Sequence, residues 1–391
     1  GGVPIVKKFT SAKEAQVPRN TEQEVKDYVF KDLEEAIADI NATPTSRGHI
    51  AKGAALAIKM RAALYWGEYQ KAKEAAQAII DLGQYQLESN YADLFKLTGR
   101  NSNEIILAVQ HKSGTYPLST IGQLYNNGDG GWSSVVPTQK CVDNYEMSNG
   151  LTIDEAGSGY DATHPFHGRD PRMAMTILFP GSDWDGGVFN TLDENLNGKK
   201  NPNYPSNAAN SSKTALTWRK YLDPKDQYAD VWDTECNPIV FRYAEVLLTW
   251  AEAENELNGP SAAVYAKINM VRHRAGMPDV DQSKYNTKET LRELIHRERG
   301  AEFAGEGLRR ADILRWKKDG KMLAESVLNG ELVRITGTVN NAVTDPTMRA
   351  TVNGTRKIED RTFKPYNRYL PIPQKNISDN PKLEQNPGYA K

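Results

Sequence analysis

Apolar residues at helical spacing organise the stretch 286–316, NTKETLRELIHRERGAEFAGEGLRRADILRW. Leu291, Leu294 and Ile295 mark one face of a helix, and Asn286 with Glu289 three residues later predicts a capping box at its start. The stripe does not stay apolar. Continued in steps of three and four it passes through Glu298 and Glu302, with Arg297 and Arg299 alongside and Glu306 held between Gly305 and Gly307. A second helical segment, Leu308 to Trp316, carries Arg309, Arg310, Asp312 and Arg315. A carboxylate on a core-facing stripe is costly unless paired and hydrogen-bonded. A hard-metal or catalytic site would gather acids with few cations nearby, whereas here arginine matches acid nearly one for one. The pattern therefore predicts a buried ion-pair lattice, in which Glu298, Glu302 and Glu306 bond arginines among Arg299, Arg309, Arg310 and Arg315.

The same periodicity predicts helices over 21–40, 51–66 and 70–82, and a further pair over 239–257 and 261–275. YWGEYQKAKEAAQAII is similar to the turn and second helix of a tetratricopeptide repeat, with Ala72 and Ala76 small enough to admit a close neighbour. A plain amphipathic hairpin fits a single repeat equally well. Between 111 and 238 the helical period fades while Gly, Asn, Asp and aromatic residues accumulate, as in NNGDGGW and GSDWDGG. Long loops of this kind usually carry function. The tail holds Pro371, Pro373, Pro381 and Pro387, which preclude a long helix and predict an extended path across the body. The expected fold is mainly α: a tetratricopeptide-like scaffold over 1–110, a loop-rich ligand lobe over 111–238, and a second helical scaffold with extended tail over 239–391.

Composition narrows this only modestly. A net charge of −1 gives no reason to expect nucleic acid or an anionic membrane surface as partner. No apolar run approaches the length of a membrane span. Cys141 and Cys236 form no Cys-x-x-Cys, so no thiolate zinc site is expected. His164 and His167 lie near Asp161 and Asp170, but two histidines in an aperiodic loop are thin grounds for a metal, and no metal or cofactor is expected. Asp170 followed by Pro171 reads as a cap with proline at the first helical position.

No nucleophile elbow, phosphate loop, dinucleotide fingerprint or His-Glu-x-x-His motif is present, and no catalytic residue is assigned. Aromatic residues in Gly/Asn/Asp-rich loops suit sugars, whose C–H faces stack on rings while Asn, Asp and Arg bond the hydroxyls. Tyr65, Trp66, Tyr243, Trp250, Phe303 and Trp316 sit at helical spacing and are assigned to packing. Tyr204, Trp218, Tyr221 and Trp232 remain in the loop-rich stretch. The candidate ligand-binding residues are Trp184 first, then Trp132, Tyr160 and Tyr125, with Asp185, Asp161 and Asn126 as hydroxyl partners.

Several motifs carry a resemblance. ERGAEFAGEGLRRADILRW is similar to the C-terminal signature of the SusD/RagB outer-membrane nutrient-binding lipoproteins, matching it at Glu298, Arg299, Glu302, Glu306, Gly307, Arg309, Asp312, Arg315 and Trp316. RYAEVLLTWAEAE, VPTQKCVDNYEMSNG, HGRDPRMAMTILFPG and the closing RYLPIPQKNISDNPKLEQNPGY resemble further family segments, with Cys141 in place of a leucine and Asn376 in place of a glutamate. The resemblance implies a non-catalytic glycan-binding protein on the outer-membrane surface, lipid-anchored and partnered with a TonB-dependent transporter of the SusC type. GGVPIV at residue 1 reads like the middle of a domain, so a chain lacking leading helices and their lipid-modified cysteine is expected. Two other readings stay open: a repeat scaffold that binds protein or peptide, and a secreted glycoside hydrolase.

Overall fold

The computed structural model describes residues 1–390 except 7, 9, 10 and 45–47. Helices α1 (Glu22–Asp39), α2 (Lys52–Tyr65) and α3 (Tyr69–Asp81) open the chain and lead to strand β1 (Ile105–Ala108). The middle holds short helices α4 (Gln139–Asp143) and α5 (Pro171–Thr176). With them run the strands β2 (Ile177–Leu178), β3 (Asp183–Trp184), β4 (Gly187–Val188), β5 (Asn195–Leu196), β6 (Lys199–Lys200) and β7 (Thr217–Trp218). Strand β8 (Ile239–Arg242) runs into α6 (Tyr243–Asn258), followed by α7 (Ala262–Arg274), α8 (Lys288–Glu302) and α9 (Arg309–Arg315). The chain then forms β9 (Lys317–Lys318), β10 (Lys321–Met322), α10 (Leu323–Leu328), a long hairpin of β11 (Gly330–Val339) and β12 (Ala350–Arg361), and α11 (Gln374–Asp379).

Capping chemistry fixes the helix starts. Thr21 and Glu24 form a reciprocal capping box on α1, and the Ser261 hydroxyl accepts from Val264 N on α7. On α8 the cap is Thr287, paired with Thr290, and not the expected Asn286 and Glu289; the Asn286 amide instead donates to Ser283 O. Residues 239–242, expected as the first turn of a helix, are strand β8. Their backbone pairs antiparallel with β1, from Ile105↔Arg242 to Ala108↔Ile239, and the helix starts only at Tyr243. The hairpin of β11 and β12 was not expected from the sequence at all. Val333, Ile335, Thr338 and Val339 carry the β-branched signal that the charged residues between them obscure.

The largest apolar core joins α2, α3, α6, α7 and α8 through Met60, Ile79, Leu247, Ile268 and Leu294. A second core seats the β11–β12 hairpin through Ile335, Ala350 and Val352 against Phe166, Ile177 and Phe179. A third gathers Tyr91, Phe95, Ile121, Tyr125 and Tyr221 under the loops of the middle segment. The tail is not wholly extended: α11 forms between prolines. It meets the first residues of the chain, where Gln16 Nε2 donates to Asp379 O (2.8 Å) and Asn380 Nδ2 to Val17 O (2.9 Å).

Where these cores meet lies the ion-pair lattice. Glu298, Glu302 and Glu306 are buried, as the stripe requires, but their partners are not those expected. Arg172 Nη1 donates to Glu298 Oε1 (2.6 Å) and Glu302 Oε2 (2.9 Å), and Arg272 Nη1 to Glu298 Oε2 (3.0 Å). Arg242 bonds Glu302 Oε1 (2.6 Å) and both oxygens of Glu306, Arg274 also reaches Glu302, and Lys220 Nζ donates to Glu306 Oε1 (2.8 Å). Arg299 and Arg315 serve a separate cluster with Asp312 and Glu252, while Arg310 donates to Asn367 O. The helical turn explains the split: successive residues of α8 face different neighbours, so the glutamates look toward α5, β8 and α7 and Arg299 toward α6. Burial alone would raise the pKa of Glu302, but Arg274, Arg242 and Arg172 outweigh it and hold the carboxyl well below its usual range. In Glu252 the same contest, won by Arg315 and Arg299, ends at about 2. Glu245 is likewise paired, to Arg61 (2.6 Å).

Candidate functional site

The middle segment is tied into that lattice, and from the tie rises a cleft of about 870 Å³ lined by Trp184, Asp185, Gly186, Arg219, Tyr221 and Pro224 among others. Its floor follows from β7. Trp218 and Thr217 pair with Ile177 and Leu178, Arg219 N donates to Thr176 O (2.8 Å), and the next side chain, Lys220, is buried against Glu306 and Glu302 O. Burial pushes the Lys220 ammonium down to about 8 despite Glu306. One wall is the β3–β4 hairpin. Its turn is Asp185-Gly186, with φ of 52° and 76°, the conformation that an Asp-Gly pair adopts readily in a tight two-residue turn.

That turn presents Trp184 half-buried, and a loop from elsewhere fixes its ring. Trp184 Nε1 donates to Asp129 Oδ2 (2.7 Å). Asp129 is set in turn by Asn126, which accepts from Asp129 N (3.2 Å) and donates to the same carboxylate oxygen (2.5 Å). The Arg219 guanidinium lies 5.9 Å from the centre of the Trp184 ring and, among the described residues, makes no carboxylate hydrogen bond, only a long one to Ala174 O (3.4 Å). Burial lowers its pKa, partly offset by Asp183. Each acid at the rim has a single cation partner: Asp185 has Lys225 (3.3 Å) and the largely exposed Asp183 has Arg349 (2.5 Å).

Trp132 lies on the same 126–132 loop and is 51% exposed, its ring edge-on to Trp232 at 4.6 Å. Trp232 Nε1 donates to Gly130 O (3.2 Å), and its ring covers Gly122 so closely that a Cβ there would sit 2.4 Å from it. One short loop thus sets three indoles: Trp184 through Asp129, Trp232 through Gly130, and Trp132 directly.

Other expected residues fall elsewhere. Tyr125 is buried in the third core with its hydroxyl donating to Asp223 O (2.7 Å), and Asn126 is buried beneath the loop; neither presents a surface to a ligand. Asn126 acts only by orienting Asp129. Tyr160 lines a different cleft, about 530 Å³, against β11 and β12, with the Arg169 guanidinium 5.5 Å from its ring. Asp161 is spent on its own turn, accepting from Thr163 N (2.8 Å) and bonding His164, which draws its pKa down to about 2. His167 turns away to Thr347 and Asp345. Among the described residues no group of three or more His, Cys, Asp or Glu is placed to hold a metal. Cys141 and Cys236 are unpaired, with burial raising them to about 11 and about 12. Of the residues assigned to packing, Tyr243, Phe303 and Trp316 are buried and Tyr65, Trp66 and Trp250 pack against core clusters. Sequence reasoning missed Arg219 and Asp129. Asp129 sits in the GDGGW run already singled out for its tryptophan, but nothing local marks its reach to Trp184.

Known proteins place this fold. The chain is 27% identical to the SusD-like protein P25 of Formosa agariphila, over 93% of this chain and 64% of that protein. It is also 27% identical to the starch-binding protein SusD of Bacteroides thetaiotaomicron, over 93% of this chain and 65% of that one. It therefore spans less than two thirds of the length of either. A SusD-like carbohydrate-binding protein of Bacteroides fragilis superposes with a TM-score of 0.81 at 27% identity, covering 98% of this chain and 75% of that one. A second SusD-like protein of the same species gives 0.79 at 29% identity, covering 100% and 76%. The family model for the SusD family matches residues 99–389, well over half of the sequence. This chain belongs to the SusD family.

Proposed function

We propose that the chain binds a glycan in the Trp184 cleft and serves, at the outer-membrane surface, to deliver it to a TonB-dependent transporter of the SusC type without turning it over. The observation that carries this reading is the fixed, half-exposed Trp184 indole with Arg219 beside it and Asp183 and Asp185 at its rim. A sugar ring stacks on the indole face, and the flanking fork and carboxylates bond its hydroxyls. Surface ion pairs such as Asp185–Lys225 are weak enough to exchange partners when a ligand arrives. Retention by a lipid anchor and docking of the transporter on the helical side, away from the cleft, complete the proposal. Two of the relatives are described by their sugar: a carbohydrate-binding protein and a starch-binding one. Hydrolysis is not part of the reading, because both rim carboxylates are engaged by cations. Titration calorimetry against an oligosaccharide panel, with product analysis of the mixtures, tests it. Binding without cleavage is expected; cleavage, or silence across the panel, would sink it. Co-purification from native outer membranes should recover a large β-barrel protein.

A further inference from the structure

The buried arginines of the described residues find acceptors, carboxylates in the lattice and the backbone carbonyls of Pro165, Val142 and Tyr145 for Arg169, and Arg334 departs from that rule. Arg172, Arg242, Arg272 and Arg299 are all buried, and each has a carboxylate partner. Arg334, on β11, is 8% exposed, yet among the described residues its side chain makes no hydrogen bond and no ion pair. Its guanidinium lies 5.9 Å from the Tyr204 ring, and what faces it is another cation. In the ladder Arg334 stands directly opposite Arg356, which is exposed and likewise has no carboxylate partner among the described residues. The carboxylates of the hairpin are committed elsewhere: Glu331 and Asp360 to Lys357, Glu359 to Arg361, and Asp345 to His167. Like charges directly opposite each other destabilise a ladder. Burial and Arg356 together push the Arg334 pKa down, which is that repulsion seen from the proton's side.

We infer that Arg334 and Arg356, with Tyr204 backing the first, form a site for an oxyanion carried by the ligand, the sulfate ester or carboxylate of an acidic glycan. Two guanidinium forks on one face of a hairpin supply several N–H donors to one tetrahedral or planar anion, a geometry that lysines would match poorly. The glycan as carrier rests on the function proposed above; the anion preference rests on the arginines alone.

The test separates the two. Melting temperature is followed with sodium sulfate and with sodium chloride at matched ionic strength, in the wild-type chain, in Arg356→Gln and in Arg334→Gln/Arg356→Gln. Sulfate should raise the wild-type midpoint more than either variant's, and Arg356→Gln, an exposed change that leaves the fold intact, should already lose most of the difference. Its midpoint without sulfate should equal or exceed the wild type's. Equal sulfate increments in all three proteins would overturn the site. Titrations with a sulfated, a uronate-bearing and a neutral oligosaccharide of equal length then identify the group. One acidic ligand should bind wild type at least tenfold more tightly than Arg356→Gln, with the neutral ligand indifferent to the change. If no oligosaccharide binds, the glycan reading fails while the sulfate titration still decides on the arginines.

Discussion

The α8–α9 corner and the Trp184 cleft use the same residue types to opposite ends. At the corner, arginines and glutamates are buried together and every carboxylate is saturated: Glu302 alone meets Arg172, Arg242 and Arg274. At the cleft, the acids sit at an open rim in single pairs, and Arg219 has no carboxylate hydrogen bond among the described residues. Charge that is fully matched inside the protein holds elements together; charge left partly unmatched at a surface is available to something else. The two regions touch through one tripeptide. Lys220 belongs to the lattice, while its neighbours Arg219 and Tyr221 line the cleft, so the lattice fixes the floor on which the site stands.

Breaking either side should have distinct consequences. Glu302→Ala takes one carboxylate from each of three guanidiniums in the lattice, which keep Asp170, Glu298, Glu104 and Glu306, and should lower unfolding free energy by about 3 kcal/mol, read by chemical denaturation; an unchanged midpoint would refute the lattice as a stabilising unit. Trp184→Ala should weaken glycan binding by about 1–3 kcal/mol, by analogy with bases stacked on aromatic rings, while the melting temperature stays near wild type. Calorimetry against whichever oligosaccharide binds reads this, and undiminished affinity would remove Trp184 from the site.

A third experiment sharpens the contrast with pH. His296 stacks on Trp316 at 3.8 Å, and burial pushes its pKa from 6.5 down to about 3. The folded chain therefore binds that proton more weakly than the unfolded one, and stability should fall as pH drops below 6.5, by at most about 1.4 kcal/mol per unit. Glu252, held at about 2, adds its own loss only once pH passes below about 4.5. His296→Phe should flatten the slope between pH 6.5 and 4.5 and leave the acid limb in place. The smallest effect concerns a residue that the sequence assigns to the ligand. Tyr125→Phe removes the hydroxyl bond to Asp223 O and should cost about 1 kcal/mol of stability with no change in binding.

What the sequence makes legible follows from how local each determinant is. Helix positions are legible because caps and stripes are local, and the need for a lattice is legible because two glutamates lie on an apolar face. The lattice partners are not, because Arg172, Arg242 and Arg274 stand 130, 60 and 28 residues from Glu302. The Trp184 turn is legible in Asp185-Gly186, a two-residue signal. Tyr125 misleads for the opposite reason: its Asn- and Gly-rich neighbours look exposed, yet its ring is taken into a core by a carbonyl 98 residues away. Tyr160 and Asp161 share the composition of the Trp184 loop but not its place, and composition alone says nothing of which loops converge.

The pairing of β1 with β8 bears on how such a protein changes over generations. Ala108 and Ile239 stand side by side, so residues 109–238 leave and re-enter the helical body at one point. Closing a loop of that size depends only logarithmically on its length. Adding 20 residues to it raises the closure cost by about 0.1 kcal/mol, far less than the loss of one lattice contact. Insertions and deletions around Trp184 are thus nearly free for the fold, while Arg172 and Lys220 within the same stretch are not. Selection can rewrite the rim for a new ligand by changing loop lengths, and the anchors that return the chain to the body will stay where they are.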